Sequence, residues 1–214
     1  MSGEFLPQWP GRRYLAGLIA LALLAGCATP VETATHPAWP ARQRALAALR
    51  DWSVNGRLAV ITAQEGWHVS LHWVQQGPVY NIDLIGPLGQ GRVRIQGDAQ
   101  GVALRTADGQ IQRATDADEL LARAVGVRIP LSGLLYWVRG LPDPGQPGTL
   151  ALDEQGRLRR LEQDGWRIDY LDYMPVAPLE LPRRIRATQG EIKVQVVVND
   201  WSLAPATTVA GGGR

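Results

Sequence analysis

Trp67-His68-Val69-Ser70-Leu71-His72-Trp73 decides the fold, because apolar and polar residues alternate one by one along it. In extended backbone successive side chains point to opposite faces. The run therefore puts Trp67, Val69, Leu71 and Trp73 on a dry face, and His68, Ser70 and His72 on a wet one. The two-residue period continues in both directions. Upstream, Val54, Gly56, Leu58 and Val60 alternate with Asn55 and Arg57. Downstream, Tyr80, Ile82 and Leu84 alternate with Asn81 and Asp83, and Val93 and Ile95 with Arg92, Arg94 and Gln96. Val102, Leu104 and Thr106 then alternate with Ala103 and Arg105. Further strands are expected over residues 149–153, 157–163, 166–173, 181–188 and 191–201. Turn signals separate them: Gln76-Gly77-Pro78, Gly97-Asp98, Asp108-Gly109, Asp164-Gly165 and Gln189-Gly190. The count comes to about eleven antiparallel strands, each with one wet and one dry face.

Helical spacing interrupts this pattern twice. Pro40 opens a stretch to about residue 50, with Ala45, Leu46, Leu49 and Trp52 at helical spacing. In the middle of the chain Asp116 is placed to cap a helix to residue 125 carrying Leu120, Leu121 and Val125. Ile129-Pro130 then begins a second helix with Leu131, Leu134, Leu135, Trp137 and Val138, stopped by Gly140-Leu141-Pro142. The expected class is mainly β with helices (α+β). A flat sheet of about eleven strands would leave its dry face uncovered, so the sheet should curl into a barrel or half-barrel. The helices are its natural cover, and too few to fill it, so an apolar cavity is expected. The inward-phase residues Leu58, Val69, Trp73, Leu84, Ile95, Leu104, Leu134, Trp137, Trp166 and Val196 are its candidate lining, with ordinary core packing as the competing reading for each.

At the N-terminus Arg12 and Arg13 precede an apolar run that ends in Leu24-Ala25-Gly26-Cys27. Charged residues, a short apolar segment and small residues before a cleavage point form a secretory signal, and the run is short for a membrane span. With cysteine directly after Leu-Ala-Gly, it resembles a bacterial lipobox. That resemblance implies cleavage before Cys27, lipid on its thiol and, with Ala28 rather than aspartate next, export to the outer membrane. The expected organisation is a signal peptide over 1–26, a flexible Pro-rich tether over 27–40, a domain over 41–203 and a loose tail over 204–214.

Composition narrows the function. The chain carries a formal charge of +2, and the signal segment removes Glu4, Arg12 and Arg13, a net +1, leaving about +1. Nucleic acid would want a concentrated basic face, so it is not an expected partner. Arg92, Arg94 and Arg105 share the outer strand phase, where an exposed face and a surface for an acidic partner look alike. There are eight Trp and one Phe, with Trp9 in the removed segment. Trp suits cores, lipid interfaces and bulky ligands. No nucleophile elbow, phosphate loop, dinucleotide signature or zinc-protease motif occurs, and Gly86-Pro87-Leu88-Gly89-Gln90-Gly91 lacks the Lys-Ser/Thr that would engage phosphate. His68 and His72 read as solvated strand residues rather than a zinc pair. An enzyme, a cofactor and a metal are not expected. Leu88 at the apex of a Pro/Gly loop is unusual: it either folds back over the cavity or protrudes toward a membrane interface.

Four stretches together resemble the LolB family of outer-membrane lipoprotein receptors. They are Trp73-Val74-Gln75-Gln76 running into Ile85-Gly86-Pro87-Leu88-Gly89; Ile129-Pro130-Leu131 with Leu134, Trp137 and Gly140-Leu141-Pro142; Arg157-Leu158 with Gly165-Trp166, Ile168, Tyr170 and Tyr173; and Leu181-Pro182 and Ile185 with Val194, Val196 and Asn199-Asp200-Trp201. The resemblance covers about residues 40–203. It implies a half-closed antiparallel barrel with a helical lid over a hydrophobic cavity for acyl chains. It also implies a lipid-anchored monomer facing the periplasm, which accepts acylated lipoproteins from the periplasmic carrier LolA and inserts them into the outer membrane. Leu88 would promote that insertion. The tether does not align, and 206–214 has no family counterpart. Two rival readings stay open on the residues alone: an envelope lipoprotein that ferries free lipid, and a structural envelope lipoprotein with a filled core.

Overall fold

The computed structural model describes residues 36–89, 91–125 and 130–203, apart from the side chains of Leu88, Ala124 and Val125. The expected signal peptide, Cys27, most of the tether and the tail lie outside the described residues. Eleven strands form one antiparallel sheet: β1 (Asp51–Ile61), β2 (Gly66–Gln76), β3 (Val79–Ile85), β4 (Arg92–Asp98), β5 (Gly101–Arg105), β6 (Ile111–Ala114), β7 (Gly148–Leu152), β8 (Leu158–Gln163), β9 (Trp166–Val176), β10 (Leu179–Gln189) and β11 (Ile192–Ser202). Three helices accompany them: α1 (Trp39–Ala47), α2 (Ala117–Val125) and α3 (Leu131–Trp137).

The strand order is β6-β5-β4-β3-β2-β1-β11-β10-β9-β8-β7. The first and last strands of the domain therefore pair at the centre of the sheet, with Leu58 opposite Val196 and Val60 opposite Val194. β6 and β7 are unpaired edges, so the sheet is not closed into a barrel. The chain that passes from β6 to β7 is α2 followed by α3. The lid is thus the covalent bridge between the two free edges, and its leucines Leu120, Leu121 and Leu131 join the core of the sheet.

Alternation dictates which strand face is dry. In β1 Val54, Gly56 and Val60 are buried while Asn55, Arg57 and Ile61 are exposed. At Gly56 the sheet carries a bulge, and a Cβ there would lie 2.3 Å from the Val197 carbonyl oxygen, so only glycine fits. β6 has no buried residue, which explains why its sequence, Ile-Gln-Arg-Ala, carries no alternation. The first helix also ends sooner than its spacing suggests. Trp52 belongs to β1, paired with Gln75, rather than to a helical stripe. There its ring packs on Trp73 at 5.1 Å and Trp201 at 5.5 Å. Arg139 lies over that ring at 6.0 Å and donates to the Leu49 carbonyl at 2.9 Å, tying α1's exit to the sheet. This end of the sheet is solid.

A dry cavity at the open end of the sheet

The opposite end, where β1 turns into β2 and β3 into β4, is hollow. The sheet and lid enclose a cavity of about 620 Å³ whose lining is almost wholly aliphatic and aromatic. Of the ten candidates from sequence, Leu58, Val69, Trp73, Leu84, Ile95, Leu134, Trp137 and Val196 line it. Leu104 and Trp166 do not. α2 packs onto β5 and β6, which leaves Leu104 wholly buried in solid core. Trp166 sits behind Trp137, with ring centroids 6.4 Å apart. Ile82, Val93, Leu121, Leu131, Val138, Ile168 and Ile185 also face the space. Their strand or helix phase was visible in the sequence, but phase alone does not separate lining from filling.

Trp137 is the best-held of the lining side chains. Its indole N–H donates to Gln163 Oε1 at 2.9 Å, and the same oxygen accepts the Asp143 backbone N–H at 2.8 Å. The Gln163 amide nitrogen donates to the carbonyls of Asp143 at 2.9 Å and Gln146 at 2.8 Å. One buried amide thus satisfies both ends of its dipole and fixes the end of α3. The Tyr170 hydroxyl donates to the Trp137 carbonyl at 3.0 Å from below. Gln163 carried no motif in the sequence; a lone glutamine at a strand end gives no such signal.

The lid helices are tied to each other by chemistry rather than by packing alone. Asp116 caps α2, accepting from the backbone N–H groups of Asp118 at 2.8 Å and Glu119 at 3.0 Å. Asp118 in turn accepts from both the N–H and the hydroxyl of Ser132, at 3.1 and 2.7 Å, capping the start of α3. Tyr80 underlies this corner. Burial pushes its hydroxyl up to about 12, and the charges of Asp118 and Asp98 add to the effect. Gly97 is required beneath it, since a Cβ there would overlap the Tyr80 ring at 2.1 Å.

Gly86, Pro87 and Gly91 border the mouth. The loop that carries Leu88 makes a single turn at Pro87–Gly89, and its neck is closed by the Gly86 N–H donating to the Gly91 carbonyl at 2.9 Å. The Leu88 side chain lies outside the described residues. His68 lines the mouth, whereas His72 lies 2.6 Å from Asn55 Oδ1 through its Nδ1. Among the described residues no three His, Cys, Asp or Glu side chains gather as a metal site.

A curved sheet with a helical cover over an apolar hollow is a cavity fold whose lining offers packing and desolvation to an apolar ligand. A filled structural core does not describe it. The family model for the outer membrane lipoprotein LolB matches residues 50–201, and the chain belongs to the LolB family. The outer-membrane lipoprotein LolB of Alkalilimnicola ehrlichii is 44% identical over 200 residues, covering 91% of this chain and 98% of that protein. The LolB of Halorhodospira halophila is 41% identical over 204 residues, covering 94% and 98%. Among solved structures, a LolA superfamily protein from Nitrosomonas europaea shares the fold, with a TM-score of 0.50 and 9% identity over 78% of this chain and 93% of that one. The protein is therefore an outer-membrane lipoprotein of the lipoprotein-localisation system and not an enzyme. No helix among the described residues is long and apolar enough to cross a membrane.

Proposed function

We propose that the cavity receives the acyl chains of lipoproteins handed over by the periplasmic carrier LolA, and that the protein then inserts this cargo into the outer membrane. The observation that carries this reading is the dry hollow of about 620 Å³ at the end of the sheet bordered by the Pro87–Gly89 turn. If a methylene occupies about as much space as a liquid water molecule, roughly 30 Å³, the hollow has the bulk of one long chain.

The physics needs no nucleotide. Each CH₂ left in water costs about 0.8 kcal/mol, so a tail must pass from one apolar site to another. The lining offers contact without hydrogen bonds to hold the tail back. An affinity advantage of about 1.4 kcal/mol over the donor shifts the hand-over tenfold, and the bilayer outcompetes both. In this reading Cys27 is the lipidated N-terminus that keeps the domain at the membrane. Leu88 enters the interface and opens the route from mouth to bilayer.

The test is transfer of a labelled lipoprotein from purified LolA to the lipidated protein in vesicles. Movement of label onto the protein and then into the bilayer is expected. A protein that takes up free fatty acid but never cargo from the carrier would overturn the proposal in favour of a free-lipid ferry.

A further inference from the structure

The chain enters the domain at the end of the sheet opposite the mouth. His36 lies against the turn between β7 and β8, where a Cβ on Gly156 would meet its Nδ1 at 2.5 Å. In an antiparallel sheet the β8–β9 hairpin at Asp164-Gly165 falls at the same end as the β1–β2 and β3–β4 turns that border the mouth. The β7–β8 turn falls at the other. α1 follows His36 and is fastened at this closed end. Leu46 is wholly buried with Leu141 and Leu181. Arg42 donates to the Glu180 carbonyl and lies over the Tyr173 ring at 5.6 Å. Arg139 donates to the Leu46 carbonyl at 3.3 Å. With these ties the helix does not unwind to lend length to the segment before it.

Position across the sheet matters as much as position along it. Along β8, the eight residue steps from Gly156 to Asp164 make about 26 Å at strand rise. Across the order β3-β2-β1-β11-β10-β9-β8, six spacings of about 4.8 Å make roughly 29 Å of curved sheet. His36 is therefore diagonally opposite the Pro87–Gly89 turn. Tipping the domain to lower one of them raises the other. Nine residue steps separate Cys27 from His36. A chain of that length spans at most about 30–32 Å when straight, and about 15–18 Å as a relaxed coil. The straight span just exceeds the strand distance to the rim; the relaxed one falls well short of it.

We propose that the segment between Cys27 and His36 is a length-limited pivot that gives the domain a different orientation for each half of its task. With the segment relaxed, the closed end stays near the lipid of Cys27 and the mouth faces away from the membrane, open to a carrier. With it drawn out, the mouth swings down and reaches the same bilayer. The inference rests on the function proposed above and adds an orientation to its two steps, loading and delivery.

The test changes only this length, in the full lipidated protein reconstituted in vesicles. Deleting residues 30–33 leaves five steps, at most about 18 Å, too short for the mouth to reach. Loading from LolA carrying labelled lipoprotein should match the parent, while release into the bilayer falls at least tenfold. Gly-Ser-Gly-Ser in place of the deleted residues should restore release, because reach and not sequence is at work. Cys27→Ala in the shortened chain removes the anchor. It should deliver to vesicles from solution as fast as Cys27→Ala in the parent chain, which also shows that the deletion leaves the domain folded. Equal release by the parent and the shortened lipidated protein overturns the pivot and leaves the proposed function standing. A shortened protein that also loads slowly overturns the outward-facing mouth, and the pivot with it. A parent that accepts nothing from the carrier overturns the proposed function, and this inference as well.

Discussion

The indole N–H of Trp137 and the side-chain oxygen of Gln163 meet at 2.9 Å across the wall of the cavity, one residue from the lid and one from the sheet. The bond lets a tryptophan serve as lining without floating in a half-empty space. Its ring packs on Trp166 on one side and faces the hollow on the other. An aliphatic residue at 137 would have no such handle and would be free to collapse inward.

Gln163→Ala should be costly for a residue remote from any chemistry. It leaves the buried Trp137 indole N–H without an acceptor, at about 1–3 kcal/mol, and the half-buried Asp143 N–H short of its partner at a smaller cost. The urea midpoint should fall accordingly. Gln163→Ala combined with Trp137→Phe should lose less than the sum of the two, because they remove one interaction. Strict additivity would show that the bond does not hold the wall.

Lining and core should separate by phenotype. Val69→Trp points a large side chain into the hollow, so fatty-acid binding should weaken at least tenfold while the melting temperature changes little. Leu104→Ala does the reverse. It opens a void in solid core and should cost about 2–5 kcal/mol, yet leave binding near normal under folding conditions. The opposite outcome for either variant would mean that the cavity is misplaced.

These two positions also mark how far the sequence could be read. Val69 and Leu104 have the same alternation, the same apolar character and the same expected face. What distinguishes them is that α2 packs onto β5 and β6, over Leu104, while Val69 faces the hollow, a fact of the lid's path that no local period records. Ten of the eleven strands, the lid and the Asp116 cap were legible because each rests on neighbours in sequence. β6 was not, because an exposed edge needs no dry face. Gln163 depends on Trp137 and Asp143, some twenty residues away in the chain, which only the fold brings to it.

Asp83 and Tyr80 contribute to stability with opposite pH dependence. Burial pushes the Asp83 carboxyl up, but hydrogen bonds from Arg94 and Arg92 outweigh it and leave its pKa below the ordinary carboxylate value. Its contribution is present above the unfolded-state pKa and is lost as pH falls through the lowered folded one. Tyr80 works the other way: its hydroxyl is held neutral up to about 12, so the unfolded chain ionises first and stability falls as pH rises above about 10. Urea titrations across pH should show Asp83→Asn reducing the slope of the acid limb, and Tyr80→Phe reducing that of the alkaline one, which Tyr170 and Tyr173 also shape. Unchanged slopes in both variants would remove these assignments.

Leu88→Glu should separate accepting cargo from delivering it. The Pro87–Gly89 turn stands at the mouth on a neck closed between Gly86 and Gly91, so a change at its tip leaves the lining intact. Placing a carboxylate in hydrocarbon costs several kcal/mol, and a glutamate at the tip should keep the loop out of the bilayer. Uptake of labelled lipoprotein from LolA should continue at the parent rate, while release into vesicles falls by an order of magnitude or more and loaded protein accumulates. Cys27→Ala supplies the complementary case: the domain should leave the membrane fraction yet still bind fatty acid. If Leu88→Glu delivers as fast as the parent, the loop's role is to border the mouth, and tails leave the cavity without its help.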